Sequence, residues 1–268
     1  MSVTFPEGLE NMYGRIVKLI CSRNRPEQQL AKWIIKWITF SQRQLTTHEL
    51  QAWRNFNNGA TDIECDDLPH FSKTIVMICS GLIEVGNIKQ SAYVVGESCL
   101  QFIHLTAREY FSRFEVSDND DTCENPPTGV GLEARSHLEI AQSCLKYLTY
   151  HMPAQRLSER LSLYSIPANL NKDFPLSNYA ASCWIDHLHK GLAESERLYK
   201  TSSSIPMVDL DAMMTALFRF LSQDLVLVSW IETSYIFHKV PAFESEVEIS
   251  VPNRDDSVVT VGKLPLFC

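Results

Sequence analysis

The stretch CLQFIHLTAREYF, residues 99–111, places His104 where an alternating apolar run gives way to a helix-forming segment. Taken alone, an imidazole at such a corner is most often structural, closing the strand by donating a hydrogen bond to a nearby carbonyl. The residues alone favour that structural role, because a single histidine carries little specificity. His187 and His189 are two apart on a predicted helix, so they face different ways and a shared metal would need ligands from elsewhere. No metal site is expected. Cys79 and Cys99 could meet as hairpin neighbours, with packing the expected outcome rather than a bridge.

The motifs that start other chemistries are missing. There is no G-x-S-x-G, no H-E-x-x-H and no G-x-G-x-x-G, and the Gly262-Lys263 pair has Ser257 where a P-loop needs its leading glycine. No catalytic residue can be assigned, and the chain is not expected to be an enzyme by itself. Trp33 and Trp37 could anchor a partner, but their helical spacing favours burial. The acidic run at residues 118–121 reads as solvated linker rather than as a site for a basic partner.

Those side chains must be positioned by a chain of 268 residues, 45% hydrophobic, enough for one large or two modest cores. The net charge of −8 comes without a block of Lys or Arg, which disfavours a surface that tracks nucleic-acid phosphates. Most of the eight cysteines sit in apolar patterns and none forms C-x-x-C, as in a reduced, cytoplasmic protein. The N-terminus does not read as a signal peptide, and the apolar run at residues 224–231 is too short to span a bilayer. A soluble protein with no membrane partner is expected.

Leu9, Met12, Tyr13, Ile16, Leu19 and Ile20 recur at helical steps and predict a first helix. A second opens at Pro26 and carries Leu30, Trp33, Ile34, Trp37 and Ile38 on one face. Thr46 stands three residues before Glu49, the capping-box spacing, and predicts a third helix. A fourth, in DDLPHFSKTIVMICSG, ends where Gly81 can take the left-handed conformation. A β-rich stretch with Gly86-Asn87 and Gly96 follows and reads as a hairpin, and TAREYFSRF closes the unit with a helix.

This order, helices then a β-hairpin wing, predicts a winged-helix domain over residues 1–114. Residues 115–134 are acidic, with Pro126-Pro127 and little to bury, and read as a mobile linker. An all-helical domain over 135–240 follows, with Leu138, Ala141, Leu145 and Leu148 lining one helix. Leu176, Tyr179, Ala180, Cys183, Trp184 and Leu188 line another, expected to run from Pro175 to near Gly191. Further helices are predicted at 207–221 and 223–237. Residues 241–268 form a polar tail with weak strand character, and no ankyrin or tetratricopeptide period is found. The fold class is therefore mainly α, a winged-helix domain followed by a helical one.

Taken together, CLQFIHLTAREYF resembles the F-[IV]-H-x-[ST]-x-x-E-[FY] segment that ends the winged-helix domain of NACHT-type STAND NTPases, the class of NOD-like receptors and fungal incompatibility proteins. MYGRIVKLI and LAKWIIKWITFSQRQLTTHEL are similar to the helices after the fungal NACHT core. MICSGLIEV resembles the entry to the wing, and HLEIAQSCLKYL with FPLSNYAASCWIDHL resembles the helical unit beyond it. The likeness runs over residues 9–188. It implies that His104 contacts a phosphate of ADP held by a NACHT core, and that Thr106 caps the following helix with Glu109 as its box partner.

The motor itself is not in the sequence: no Walker A, Walker B or sensor arginine precedes the first helix, and the usual repeat array is missing after Leu188. The chain is therefore expected to bind no cofactor on its own, and ADP or ATP only as part of a larger NACHT protein. Its expected partners are a NACHT core, in cis or in trans, and other proteins. Either it belongs to a longer polypeptide or it is a free-standing module. Two other readings stand beside a signalling module: a winged-helix DNA-binding regulator, whose recognition helix LPHFSKTIVMICS offers only Lys73 as a cation, and a protein-binding scaffold.

Overall fold

The computed structural model describes residues 7–57, 68–87, 98–114, 131–152, 157, 166–201, 208–237, 246–252 and 258–265. The first half runs α1 Glu7–Cys21, α2 Arg25–Phe40, α3 Thr47–Asn57, α4 Leu68–Ile78, β1 Ile83–Asn87, β2 Ser98–Phe102 and α5 Leu105–Phe111. The second runs α6 Leu132–Tyr150, α7 Ile166–Asp173, α8 Ser177–Thr201, α9 Val208–Leu221 and α10 Asp224–Ile236, followed by β3 Glu246–Pro252 and β4 Val258–Pro265.

Local chemistry sets the helix starts. Asn24 caps α2 by accepting from the Glu27 backbone N–H at 3.0 Å, with Pro26 in the first turn where its missing N–H costs nothing. In α3 the expected capping box is complete: Thr46 Oγ1 accepts from the Glu49 N–H at 3.0 Å, and Glu49 Oε2 accepts from the Thr46 N–H at 2.8 Å. Helix α4 ends through two left-handed residues, Ser80 (φ 53°) and Gly81 (φ 77°).

The wing is an antiparallel pair in which Ile83 faces Phe102 and Val85 faces Leu100. A bridge from Thr46 to Cys99 ties β2 to the start of α3. Gly96 and the rest of residues 88–97 lie outside the described residues, as do residues 115–130 of the expected linker. Helix α6 already begins at Leu132, with Leu132 and Ala134 buried, so the last part of residues 115–134 is core rather than linker. In the tail, β3 and β4 pair antiparallel with an irregularity between Glu248 and Ser250.

The apolar stripes are buried with two corrections. On α1 the inward face is Tyr13, Val17 and Ile20, whereas Met12 and Leu19 are exposed; the true stripe sits slightly around the helix from the expected one. On α2, Ala31, Ile34, Ile35 and Trp37 are buried, and Leu30, Trp33 and Ile38 pack at the margin. Buried side chains from both halves form one continuous core. Trp37 is central to it, with ring centroids 5.7 Å from Trp33, 6.0 Å from Trp53 and 5.9 Å from Tyr179 of α8. Phe40 meets the His137 ring of α6 edge-on at 5.6 Å, and Phe56 meets Tyr147 at 5.6 Å.

Cys79, Cys99, Cys144 and Cys183 are buried and form no disulfide, so Cys79 and Cys99 are not bridged to each other. Cys21 is disulfide-bonded, which departs from the fully reduced state expected. Among the described residues no single helix is long and apolar enough to cross a membrane; residues Leu210–Leu221 and Asp224–Ile236 reach that composition only as a pair bent by 91°.

Helix α8 does not stop at Gly191. It continues to Thr201, and Gly191 is buried where α8 lies closest to α6. A Cβ built there would fall 2.8 Å from Cγ and Cδ2 of Leu138 and 3.2 Å from the Ala134 carbonyl oxygen. The glycine is thus a close-approach residue, not a cap. Gly191→Ala gains up to about 1 kcal/mol of helix propensity but overpacks the α6–α8 contact, which costs about 1–3 kcal/mol. The expected outcome is a net loss near ~1 kcal/mol in urea unfolding followed by tryptophan fluorescence; a stabilised variant would mean that the two helices separate freely.

Candidate functional site

Strand β2 stops pairing at Phe102, and the Ile103 N–H then donates to the Leu82 carbonyl at 3.2 Å. The His104 carbonyl accepts from the Ala107 N–H at 3.0 Å, which starts α5 and makes His104 the N-cap, with extended backbone at φ −134° and ψ 142°. Its ring makes no capping hydrogen bond and is exposed, so the alternative in which it closes the strand onto a carbonyl has no contact to support it.

The expected capping box of Thr106 and Glu109 is not formed. The chain enters the helix at Leu105, so Thr106 is already inside the first turn, and its Oγ1 lies 2.7 Å from the Tyr13 hydroxyl of α1. That bond pins α5 to α1. Glu109 is exposed, and its backbone carbonyl accepts from the Ser112 hydroxyl at 2.8 Å.

His104 stands at the lip of a cleft of about 280 Å³ between the β2–α5 corner and residues 38–45. Arg108, four residues on and on the same side, forms part of the wall. It donates from Nε to the Thr39 carbonyl at 2.8 Å and from Nη2 to the Ser41 carbonyl at 3.2 Å. It thereby satisfies carbonyls left open at the end of α2 and fixes α5 to that end. Sequence reasoning missed Arg108; an arginine one helical turn after the histidine was the available signal. The floor is polar: Gln44 Nε2 donates to Gln101 Oε1 at 3.0 Å, and Gln101 Nε2 to Glu84 Oε1 at 2.9 Å. Apolar Ile103 and Leu105 flank His104, with Leu105 81% exposed.

The far side of the same wall meets the helical half. Arg43 grips Glu49 with both guanidinium nitrogens and lies over the Tyr179 ring, 5.0 Å from its centroid. The Gln42 N–H donates to the Tyr179 hydroxyl at 3.2 Å, and Lys190 Nζ donates to Gln42 Oε1 at 2.6 Å.

The two other histidines singled out do not act together. His189 is exposed, whereas His187 is fully buried between Tyr179 and His137. Among the described residues no three His, Cys, Asp or Glu side chains are placed to hold a metal. On α4, the helix a DNA-reading protein would insert, the exposed side chains include His70, Lys73 and Met77, and Lys73 is the one lysine or arginine in α4.

Residues 17–120 match the family model described as the winged helix domain of GPI inositol-deacylase. That stretch holds the C-terminal end of α1 and everything from α2 through the His104 corner and α5. The protein is accordingly mainly α-helical with a winged-helix domain. Over 190 residues the chain is 25% identical to the azaphilone pigments biosynthesis cluster protein L of Monascus ruber, an alignment that covers 69% of this chain and 35% of that protein. The chain therefore matches about a third of the length of this relative. No solved structure matches it.

Because the His104 ring is exposed and uncommitted, His104→Ala should change the free energy of unfolding by less than about 0.5 kcal/mol. Urea denaturation checks this, and a loss above ~1.5 kcal/mol would restore a structural role for the imidazole.

Proposed function

We propose that the chain is a non-catalytic regulatory module of a NACHT-type STAND NTPase, whose winged-helix domain closes over ADP held by the NACHT core. The observation that carries this reading is His104. A side chain at a strand-to-helix corner is held by a backbone fixed on both sides, through Thr106 to Tyr13 and through Arg108 to the end of α2, yet its own ring is left without an internal partner. Such a residue costs little to the fold and is oriented toward something outside it.

An imidazole N–H aimed at a diphosphate forms a charge-assisted bond, about twice as strong as a neutral one. The bond exists only while module and core are closed on each other. Exchange of ADP for ATP removes it, and the module swings away as a rigid body, so His104 biases a two-state hinge. The exposed apolar flank of Ile103 and Leu105 suits contact with the core around the nucleotide. The helical half then carries the motion onward, because residues 41–45 join it to the cleft. The reading accords with the similarity over residues 17–120 to a winged-helix family.

The chain alone should show no saturable binding of ADP or ATP in calorimetry and should release no phosphate from ATP. In a polypeptide that carries this chain with a NACHT core, His104→Ala should speed ADP release by about tenfold or more, the loss of one charge-assisted bond. Turnover by the isolated chain, or an unchanged ADP release rate in the variant, would contradict the proposal.

A further inference from the structure

The junction between the two halves contains a buried hydrogen-bond chain that works in one protonation state. The Gln42 N–H donates to the Tyr179 oxygen at 3.2 Å, Tyr179 lies 2.7 Å from His187 Nε2, and His187 Nδ1 lies 2.8 Å from His137 Nδ1. His187 is wholly buried and His137 nearly so. If the phenol proton is to find an acceptor, it must go to His187 Nε2, which puts the His187 proton on Nδ1 and leaves His137 Nδ1 bare to receive it. Each of the three bonds then has one donor and one acceptor, and both imidazoles are neutral.

A further proton has no place in this chain. On His137 it would occupy Nδ1 and set two N–H groups against each other across 2.8 Å. On His187 it would occupy Nε2 and drive the phenol proton of Tyr179 off its acceptor. The surroundings also oppose it. Lys190 of α8 faces both rings, and Glu194 of the same helix offsets it in part at His137. From the other side Phe40 presents a ring edge, and Arg43 covers Tyr179 with its charge matched by Glu49 of α3. Lys36 of α2 and Glu139 of α6 pair with each other, and Cys144 and Cys183 contribute buried thiols.

We propose that the Tyr179–His187–His137 chain is an acid-released latch, which holds residues 41–45 against the helical half while both imidazoles are neutral and lets that segment go when they are protonated. Ser41, Gln42, Arg43, Gln44 and Leu45 all line the His104 cleft, so release reshapes the cleft. The latch is independent of which ligand, if any, the cleft receives.

Burial, reinforced by Lys190, pushes His137 down to about 4; burial, with His137 and Lys190, pushes His187 down to about 3. In an opened junction both return toward the free value near ~6.5. Above that pH neither state binds a proton and the latch is at full strength. Below it the opened state takes up protons that the closed state refuses, so closure weakens as pH falls, by up to about tenfold per unit for each histidine, until the closed-state values are reached.

The test is hydrogen exchange by mass spectrometry on the full chain at pH 7, 6 and 5, corrected for the intrinsic pH dependence of amide exchange. The opening of peptides covering residues 41–45 and 177–190 should rise about 50-fold between pH 6 and 5 for two such groups, while residues 71–78 of α4 change less than about threefold. The double variant His137→Asn with His187→Gln should flatten that rise. Wild-type opening that does not change with pH, or that rises equally in α4, would overturn the latch, and this comparison needs no variant to fold.

Discussion

The structure depends on the seating of the end of α2 between the two halves. Trp37 lies among Trp33, Trp53 and Tyr179, and directly after it the chain leaves the helix at Ser41 and runs between the wing and α8. Arg108 takes the carbonyls of Thr39 and Ser41 from one side, and Tyr179 takes the Gln42 amide from the other. A helix end buried without partners would cost several unmet hydrogen bonds. Here those bonds come from the two elements that the segment joins, so satisfying the backbone and assembling the halves are the same event.

That arrangement gives the cleft its character. Its His104 side is built by the β2–α5 corner, and its opposite wall is the 41–45 segment, whose reverse face belongs to the helical half. A contact made at His104 therefore acts on an element under load from α6 and α8. Rigid packing transmits small displacements because close-packed interiors do not deform continuously.

Much of this was legible in the sequence where the determinant is local. The Thr46 and Glu49 spacing produced a complete capping box, the left-handed turn came at Gly81, and the expected helices-then-wing order is the observed one, in a stretch that matches a winged-helix family model. His104 was legible as a corner residue. Where the determinant is a distant partner, the pattern misled. Gly191 looked like a helix stop because glycine usually is one, but its role is set by Leu138 and Ala134, more than fifty residues away. Thr106 and Glu109 have capping-box spacing, yet the helix begins earlier because the strand releases the chain at Ile103. His187 drew notice for its neighbour His189, whereas its actual partner is His137, which no spacing rule connects to it. Arg108 was marked only by its place one helical turn after His104, and its partners, the Thr39 and Ser41 carbonyls, lie more than sixty residues away.

The proposed regulatory role turns on whether the His104 ring meets a phosphate. The most direct measurement is the imidazole NMR signal of His104, assigned by its loss in His104→Ala, in a polypeptide that joins this chain to a NACHT core. Loading with ADP should shift that resonance while His189, exposed on α8, stays put. If the two signals are unchanged by ADP, or move together, His104 does not read the nucleotide and the cleft serves another partner.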